Sequence, residues 1–119
     1  MDSSASKLRL HHILEGIEKI EIFKANLSEE NFLSDAKTQS AILYQFLIIG
    51  EAVRHIDIHV LEKYPFPWHI PKSFRNYIAH EYHKVKLERV FIACGDLEDL
   101  KETVKLILKN EFDIPKLKS

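Results

Sequence analysis

The apolar residues of this chain recur at the period of an α-helix almost from end to end. Leu10, Ile13, Leu14, Ile17, Ile20 and then Leu27 repeat along one stripe, with Glu15, Glu18, Lys19 and Lys24 off it. The pattern predicts a helix from about Lys7 to Ala25, behind a frayed polar start from Met1 to Ser6. Ser28-Glu29-Glu30 and Ser34-Asp35 each read as a helix start, a capping side chain beside acidic residues. They leave two arrangements open: one kinked helix, or a short turn before a long helix. The run from Ala41 to Ile49 is apolar except for Gln45. It is too short to span a bilayer. A helix apolar nearly all round is either the centre of a bundle or covered in part by a second copy of the chain. Gly50, just after it, lets another backbone approach closely.

The segment Lys63 to Pro71, KYPFPWHIP, holds three prolines that interrupt any helix. Tyr64, Phe66 and Trp68 within it suit a plug at the end of the core, or alternatively a platform for stacked bases. Pro71 to Ser73 opens a short helix. Leu87, Val90, Phe91, Cys94, Leu97, Leu100, Val104, Ile107 and Leu108 then keep helical spacing to about Asn110. Gly95 is a costly residue midway that would mark close packing, Pro115 a stop, and the final KLKS a mobile tail. With only three Gly and four Pro, the chain lacks the turn residues of an all-β protein. The fold class is all-α, an antiparallel bundle of about four main helices plus one short helix.

Composition adds limits. At 119 residues the chain is expected to form one domain, and its formal net charge of -1 excludes a global polycation. Locally the balance differs: between Pro71 and Val90, five Lys and Arg face two Glu, giving +3, a patch that can attract a polyanion. The single Cys94 cannot form an internal disulfide or a cysteine zinc site, and its place on an apolar stripe makes it a core residue. No export signal or membrane span is evident, which predicts a cytoplasmic protein.

The chemistry concentrates in RNYIAHEY, Arg75 to Tyr82. On a helical wheel Phe74, Tyr77 and Ile78 take one side. Arg75, Asn76, Ala79, His80 and Tyr82 take the rest. Arg stays charged and its fork matches phosphate oxygens, while His exchanges protons near neutral pH. Together they offer a phosphate binder and a proton-transfer group. One His80 does not easily serve as both base and acid. A two-fold dimer would supply two. No cofactor is called for. The seven histidines contain no H-E-x-x-H pattern, and His55 and His59, four apart, have nothing nearby to complete a metal site. The plain alternative is a solvated helix face, with His11 and His12 likewise in surface or helix-margin positions rather than in a site.

RNYIAHEY resembles the R-x-x-x-x-H-x-Y signature of HEPN domains, specifically the HepT-like ribonuclease toxins. Ile48 to Ala52, IIGEA, is similar to the I-G-E-A stretch of that group, and Trp68-His69-Ile70 sits where its members carry Trp and an apolar residue. Ser73 departs from a Gly common in relatives, which bears on the local turn. The resemblance implies a homodimeric HEPN fold and a type VII-like toxin–antitoxin system whose partner is a minimal nucleotidyltransferase antitoxin. Arg75 and His80 would be catalytic on an RNA substrate. Asn76 would orient the imidazole or hold the motif helix, Glu51 would hold neighbouring polar groups, and Tyr82 would contact the substrate. It also implies that the antitoxin attaches AMP to Tyr82. The other reading open to such a domain is a non-catalytic module that binds a nucleotide or only dimerises.

Overall fold

The computed structural model describes residues 3–112. Among them are seven α-helices and no strand: α1 Ser3–Lys24, α2 Glu29–Leu33, α3 Ala36–Arg54, α4 Ile58–Leu61, α5 His69–His80, α6 Leu87–Cys94 and α7 Glu98–Ile107. A 3-10 turn, Tyr82–Lys84, follows α5, and a π turn, Leu108–Phe112, follows α7. The all-α architecture expected from the spacing is therefore the one observed. Pro115 and the KLKS tail lie outside the described residues.

Both candidate helix starts are used, each with its own cap. The Ser28 hydroxyl accepts the Asn31 backbone N–H at 3.1 Å and opens α2. The Asp35 carboxylate accepts the Thr38 backbone N–H at 3.1 Å and the Thr38 hydroxyl at 2.6 Å, opening α3. These bonds hold the Asp35 carboxyl below its usual range. Such caps satisfy N–H groups that the first turn leaves without partners.

The helices α1 and α3 run antiparallel and form the centre. Ser6, near the start of α1, accepts the backbone N–H of Asp57, beyond the end of α3, at 3.0 Å. Gly16, midway along α1, meets Ile49 of α3 so closely that a Cβ would stand 2.8 Å from the Ile49 Cγ1. The expected fraying of the first six residues therefore does not extend to Ser6. It is buried and pinned by a long-range hydrogen bond, and α1 begins at Ser3. Leu10, Ile13, Ile17, Ile20, Ile42, Ile49, Val53, Ile78, Val90 and Val104 join one continuous apolar cluster. Burial of that cluster is the main favourable term in folding.

The expected single C-terminal helix is broken. Between α6 and α7 the chain turns at Gly95-Asp96-Leu97. Gly95 is exposed, and a Cβ there would meet nothing closer than 3.5 Å, so it ends a helix and does not mark close packing. The apolar stripe survives because Cys94, Leu97 and Leu100 on either side of the break face the same core. Helix α7 is tied to α1 by Lys101, whose ammonium lies 3.1 Å from a Glu21 carboxylate oxygen.

The proline-rich segment packs as the plug that its aromatics suggest. Tyr64, Phe66 and Trp68 lie against the core, and the Phe66 and Trp68 rings pack 4.7 Å apart. The Tyr64 hydroxyl donates to Glu111 at 2.8 Å, and Lys63 donates to the other Glu111 oxygen at 3.2 Å. Burial, and then the Glu111 partner, push the Tyr64 phenol up. The same hydrogen bond, helped by Lys63, holds the Glu111 carboxyl down.

Candidate functional site around Arg75

Helix α5 starts at His69, two residues before Pro71. A proline within the first turn costs no hydrogen bond, because its missing N–H would have had no helical partner. The buried side of α5 is set by Ile78, with Phe74 and Tyr77 half-buried beside it. Phe74 places its ring edge on Phe46 of α3 at 5.0 Å. This seating fixes the direction of every polar residue on the opposite side.

Arg75 is wedged where α5 meets α3 at Gly50. Its side chain is 28% exposed, and one guanidinium nitrogen lies 3.5 Å from the Glu51 carboxylate. The other donates to the Asn76 amide oxygen at 3.2 Å. Glu51 also accepts from Arg54 at 3.0 Å, and its backbone oxygen lies 2.9 Å from the His55 ring. One carboxylate thus stands between two guanidiniums. Arg75 has five N–H donors, so most of its fork is left for an anion.

The sequence-predicted residues divide into two groups. Arg75, Asn76 and Glu51 are joined by direct contacts. His80 and Tyr82 lie further along, at the end of α5 and in the turn that follows, both exposed. Among the described residues no hydrogen bond or ion pair links them to Arg75. A five-residue step along a helix corresponds to about 7–8 Å of rise and about 140° of rotation, so the side chains of Arg75 and His80 leave α5 in different directions. Asn76 bonds to the guanidinium and not to the imidazole, because the long Arg75 side chain folds back onto its neighbour. Tyr82 is 42% exposed, with its ring edge-on to His83 at 5.5 Å.

The turn carrying Tyr82 is tied back to α5. The Tyr77 hydroxyl accepts the Lys86 backbone N–H at 2.8 Å, and the Arg89 guanidinium covers the Tyr77 ring at 4.4 Å. Tyr77 therefore sets both ends of the loop between α5 and α6. The amphipathic pattern had marked it only as a core residue.

Arg75 also lines a cleft of about 530 Å³ between α1, α3 and α5. Arg9, His12 and Lys19 come to it from α1. Sequence spacing places His12 at the surface or a helix margin, and the structure finds it half-buried at the margin of α1. Its closeness to Arg75 is a tertiary fact that no local pattern carries. A second, shallower cleft lies beside Asn76, lined by Arg54, His69 and Lys72. His55 contacts Glu51 and His59 faces Glu62, and no group of three or more His, Cys, Asp or Glu converges among the described residues.

The profile of the family described as Ribonuclease HepT-like matches residues 13–107. The chain belongs to this family. Among its HepT-like relatives is a Thermococcus cleftensis protein named "Probable ribonuclease HepT", 36% identical over 110 residues, covering 92% of this chain and 86% of the relative. A Methanocaldococcus jannaschii protein named "Gamma-glutamylcyclotransferase and putative RNase" is 31% identical over 105 residues. That alignment covers 87% of this chain but 47% of the relative, so the chain spans about half of that protein's length. A second protein of the same organism, named "Putative RNase", is 29% identical over 102 residues, 81% of this chain and 84% of the relative. No solved structure matches the chain. No helix among the described residues is long and apolar enough to cross a membrane.

Proposed function

We propose that this HepT-like chain is a metal-independent endoribonuclease that works as a homodimer and serves as the toxin of a toxin–antitoxin pair. The observation that carries the reading is Arg75, anchored between Glu51 and Asn76 at the edge of a cleft, with exposed His80 further along the same helix. Family membership supports it.

The reaction is attack of a ribose 2′-oxygen on the adjacent phosphorus. The new O2′–P bond replaces the P–O5′ bond, leaving a cyclic phosphate and a 5′-hydroxyl. One His80 takes the 2′ proton, and the His80 of a second copy returns a proton to O5′. The guanidinium of Arg75 neutralises the charge that builds on the phosphorane oxygens. Tyr44 on α3 is 61% exposed, an aromatic side chain outside the cleft that suits a facing copy.

The control step is AMP transfer to Tyr82 by a minimal nucleotidyltransferase antitoxin. The phenol oxygen attacks the α-phosphorus of ATP, loses its proton and releases pyrophosphate. The added nucleotide would then occupy the groove that RNA needs. Tyr82 is exposed enough to be reached.

The test is incubation of RNA with the pure protein in EDTA, compared with His80→Ala and Arg75→Ala, with light scattering to follow the dimer. Cleavage by the wild type, lost in both variants of unchanged size, supports the assignment. No cleavage by the wild type, or cleavage retained in the variants, overturns it. Intact mass after co-expression with the antitoxin tests the Tyr82 modification.

A further inference from the structure

Gln45 interrupts the most apolar run of the chain and is 6% exposed. Among the described residues its side-chain amide has no hydrogen-bond partner, yet none of its polar atoms is sealed from solvent. The opening is the cleft beside Arg75, which Gln45 lines. Water in the cleft can satisfy the amide, and a ligand entering the cleft would take that water's place. An amide kept in this position is poised for a ligand.

The walls of the cleft say what kind. Arg9, His12 and Lys19 lie three and seven residues apart on one side of α1, a track of about 15 Å. Arg75 stands on the wall contributed by α5. The close contact of Gly16 with Ile49 brings the cations of α1 into the same space as Gln45 of α3. Two carboxylates, Glu15 and Glu51, also line the cleft. Glu51 is already engaged by Arg54 and Arg75. Three fixed cations against two carboxylates favour one or two phosphates over a long polyanion. The volume, about 530 Å³, falls in the range of small-ligand pockets.

An amide offers a carbonyl acceptor next to N–H donors. Base edges present the complementary pair, and unpaired bases in RNA can be splayed out to show those edges. We propose that the cleft is a base-reading subsite for single-stranded RNA. A base flanking the phosphate held by Arg75 enters it, the Gln45 amide bonds its edge, and Arg9, His12 and Lys19 line the path of the adjoining phosphates. The subsite takes its ligand class from the ribonuclease reading above, and it predicts that cleavage depends on the base at one position.

The test separates the two. Short homopolymeric 2′-O-methyl RNAs labelled with fluorescein cannot undergo attack by the 2′-oxygen. Their binding to the full chain is measured by anisotropy in EDTA, for wild type, Gln45→Leu and Lys19→Ala. The wild type is expected to prefer one base by about tenfold or more. Gln45→Leu should level that preference. Lys19→Ala should weaken all four equally and lower the salt slope by about one. Absence of a base preference, or a preference unchanged in Gln45→Leu, overturns the subsite. So does loss of the dimer in Gln45→Leu, since the amide would then be a contact between copies. A protein that binds with the expected preference but never cleaves ordinary RNA keeps the subsite and loses the nuclease. One that cleaves without preference does the reverse.

Discussion

Gly50 and Arg75 touch with no room for a methyl group between their backbones. A Cβ on Gly50 would overlap the Cβ of Arg75 and stand 2.7 Å from the backbone oxygen of Pro71. Neither neighbour is the free end of a flexible side chain, so α5 would have to move as a unit. Gly50→Ala is expected to destabilise the fold by about 1–3 kcal/mol, the usual cost of overpacking. Alanine's better helix propensity offsets about 1 kcal/mol at most. The same shift would carry Arg75 away from Glu51. Urea denaturation measures the first effect, and RNA cleavage under conditions where the variant remains folded measures the second. A variant as stable and as active as wild type would show that the two helices are not packed this closely.

Glu51 shares one carboxylate between Arg54 at 3.0 Å and Arg75 at 3.5 Å. Both guanidiniums and the carboxylate are partly exposed, so each pair is worth about 1 kcal/mol or less to the fold. Its effect on function should be larger, because it aims the guanidinium. Glu51→Gln is expected to leave the melting temperature nearly unchanged and to slow RNA cleavage by about 10- to 100-fold. Arg75→Lys keeps the charge but loses the fork, and should fall with Arg75→Ala, by about 100-fold or more. Full activity in Arg75→Lys would mean that a point charge suffices.

The elements that positioned this site were readable where a local rule decides them. The Ser28 and Asp35 caps are side-chain chemistry written within three residues, and the buried face of α5 follows from Ile78 and its neighbours. The break at Gly95 was not readable from the apolar spacing. Cys94, Leu97 and Leu100 reach the same core on both sides of it, so the stripe continues through the turn. Within the site, Arg75, Asn76 and Glu51 are near in sequence or lie on facing helices, and they meet. Arg9, His12 and Lys19 reach the same cleft from about 60 residues away, a distance in sequence that only the crossing of α1 and α3 at Gly16 removes.

Cys94 is buried, and that burial pushes its thiol up to about 11 from 9.0, with Lys24 opposing weakly. The folded state therefore favours the neutral thiol. The stability this contributes is present below the unfolded value near pH 9 and is lost as pH rises through the folded value near 11. Denaturation midpoints should fall across that window in wild type, and fall less in Cys94→Ala. Tyr64 and Lys101, whose folded values are also raised, act in the same sense and cancel in the comparison. The same thiol should resist alkylation in the native protein at pH 8 and react after unfolding, since the thiolate is the nucleophile. Equal alkaline slopes in the two proteins, with rapid native alkylation, would refute the buried placement.

Tyr77 holds the loop between α5 and α6 with two separable contacts. Its hydroxyl accepts the Lys86 N–H at 2.8 Å, and its ring lies under the Arg89 guanidinium at 4.4 Å. Tyr77→Phe keeps the ring and removes the hydrogen bond. The expected loss of stability is about 1 kcal/mol, the net worth of one such bond. The freed Lys86 N–H sits where water can reach it, since the bond is at the surface, so the fold should survive. The consequence should appear in the turn that carries Tyr82 and, through it, at His80. Amide hydrogen exchange at residues 82–86 is expected to speed up while α1 and α3 stay protected. Under the proposed assignment of His80 and Tyr82, RNA cleavage and AMP transfer should both decline. Tyr77→Leu, which removes the ring as well, should lose more stability than Tyr77→Phe, because Arg89 then loses its partner. If Tyr77→Phe changes neither exchange nor activity, the loop is held by Val85 and Leu87 packing against the core, and the hydroxyl is incidental.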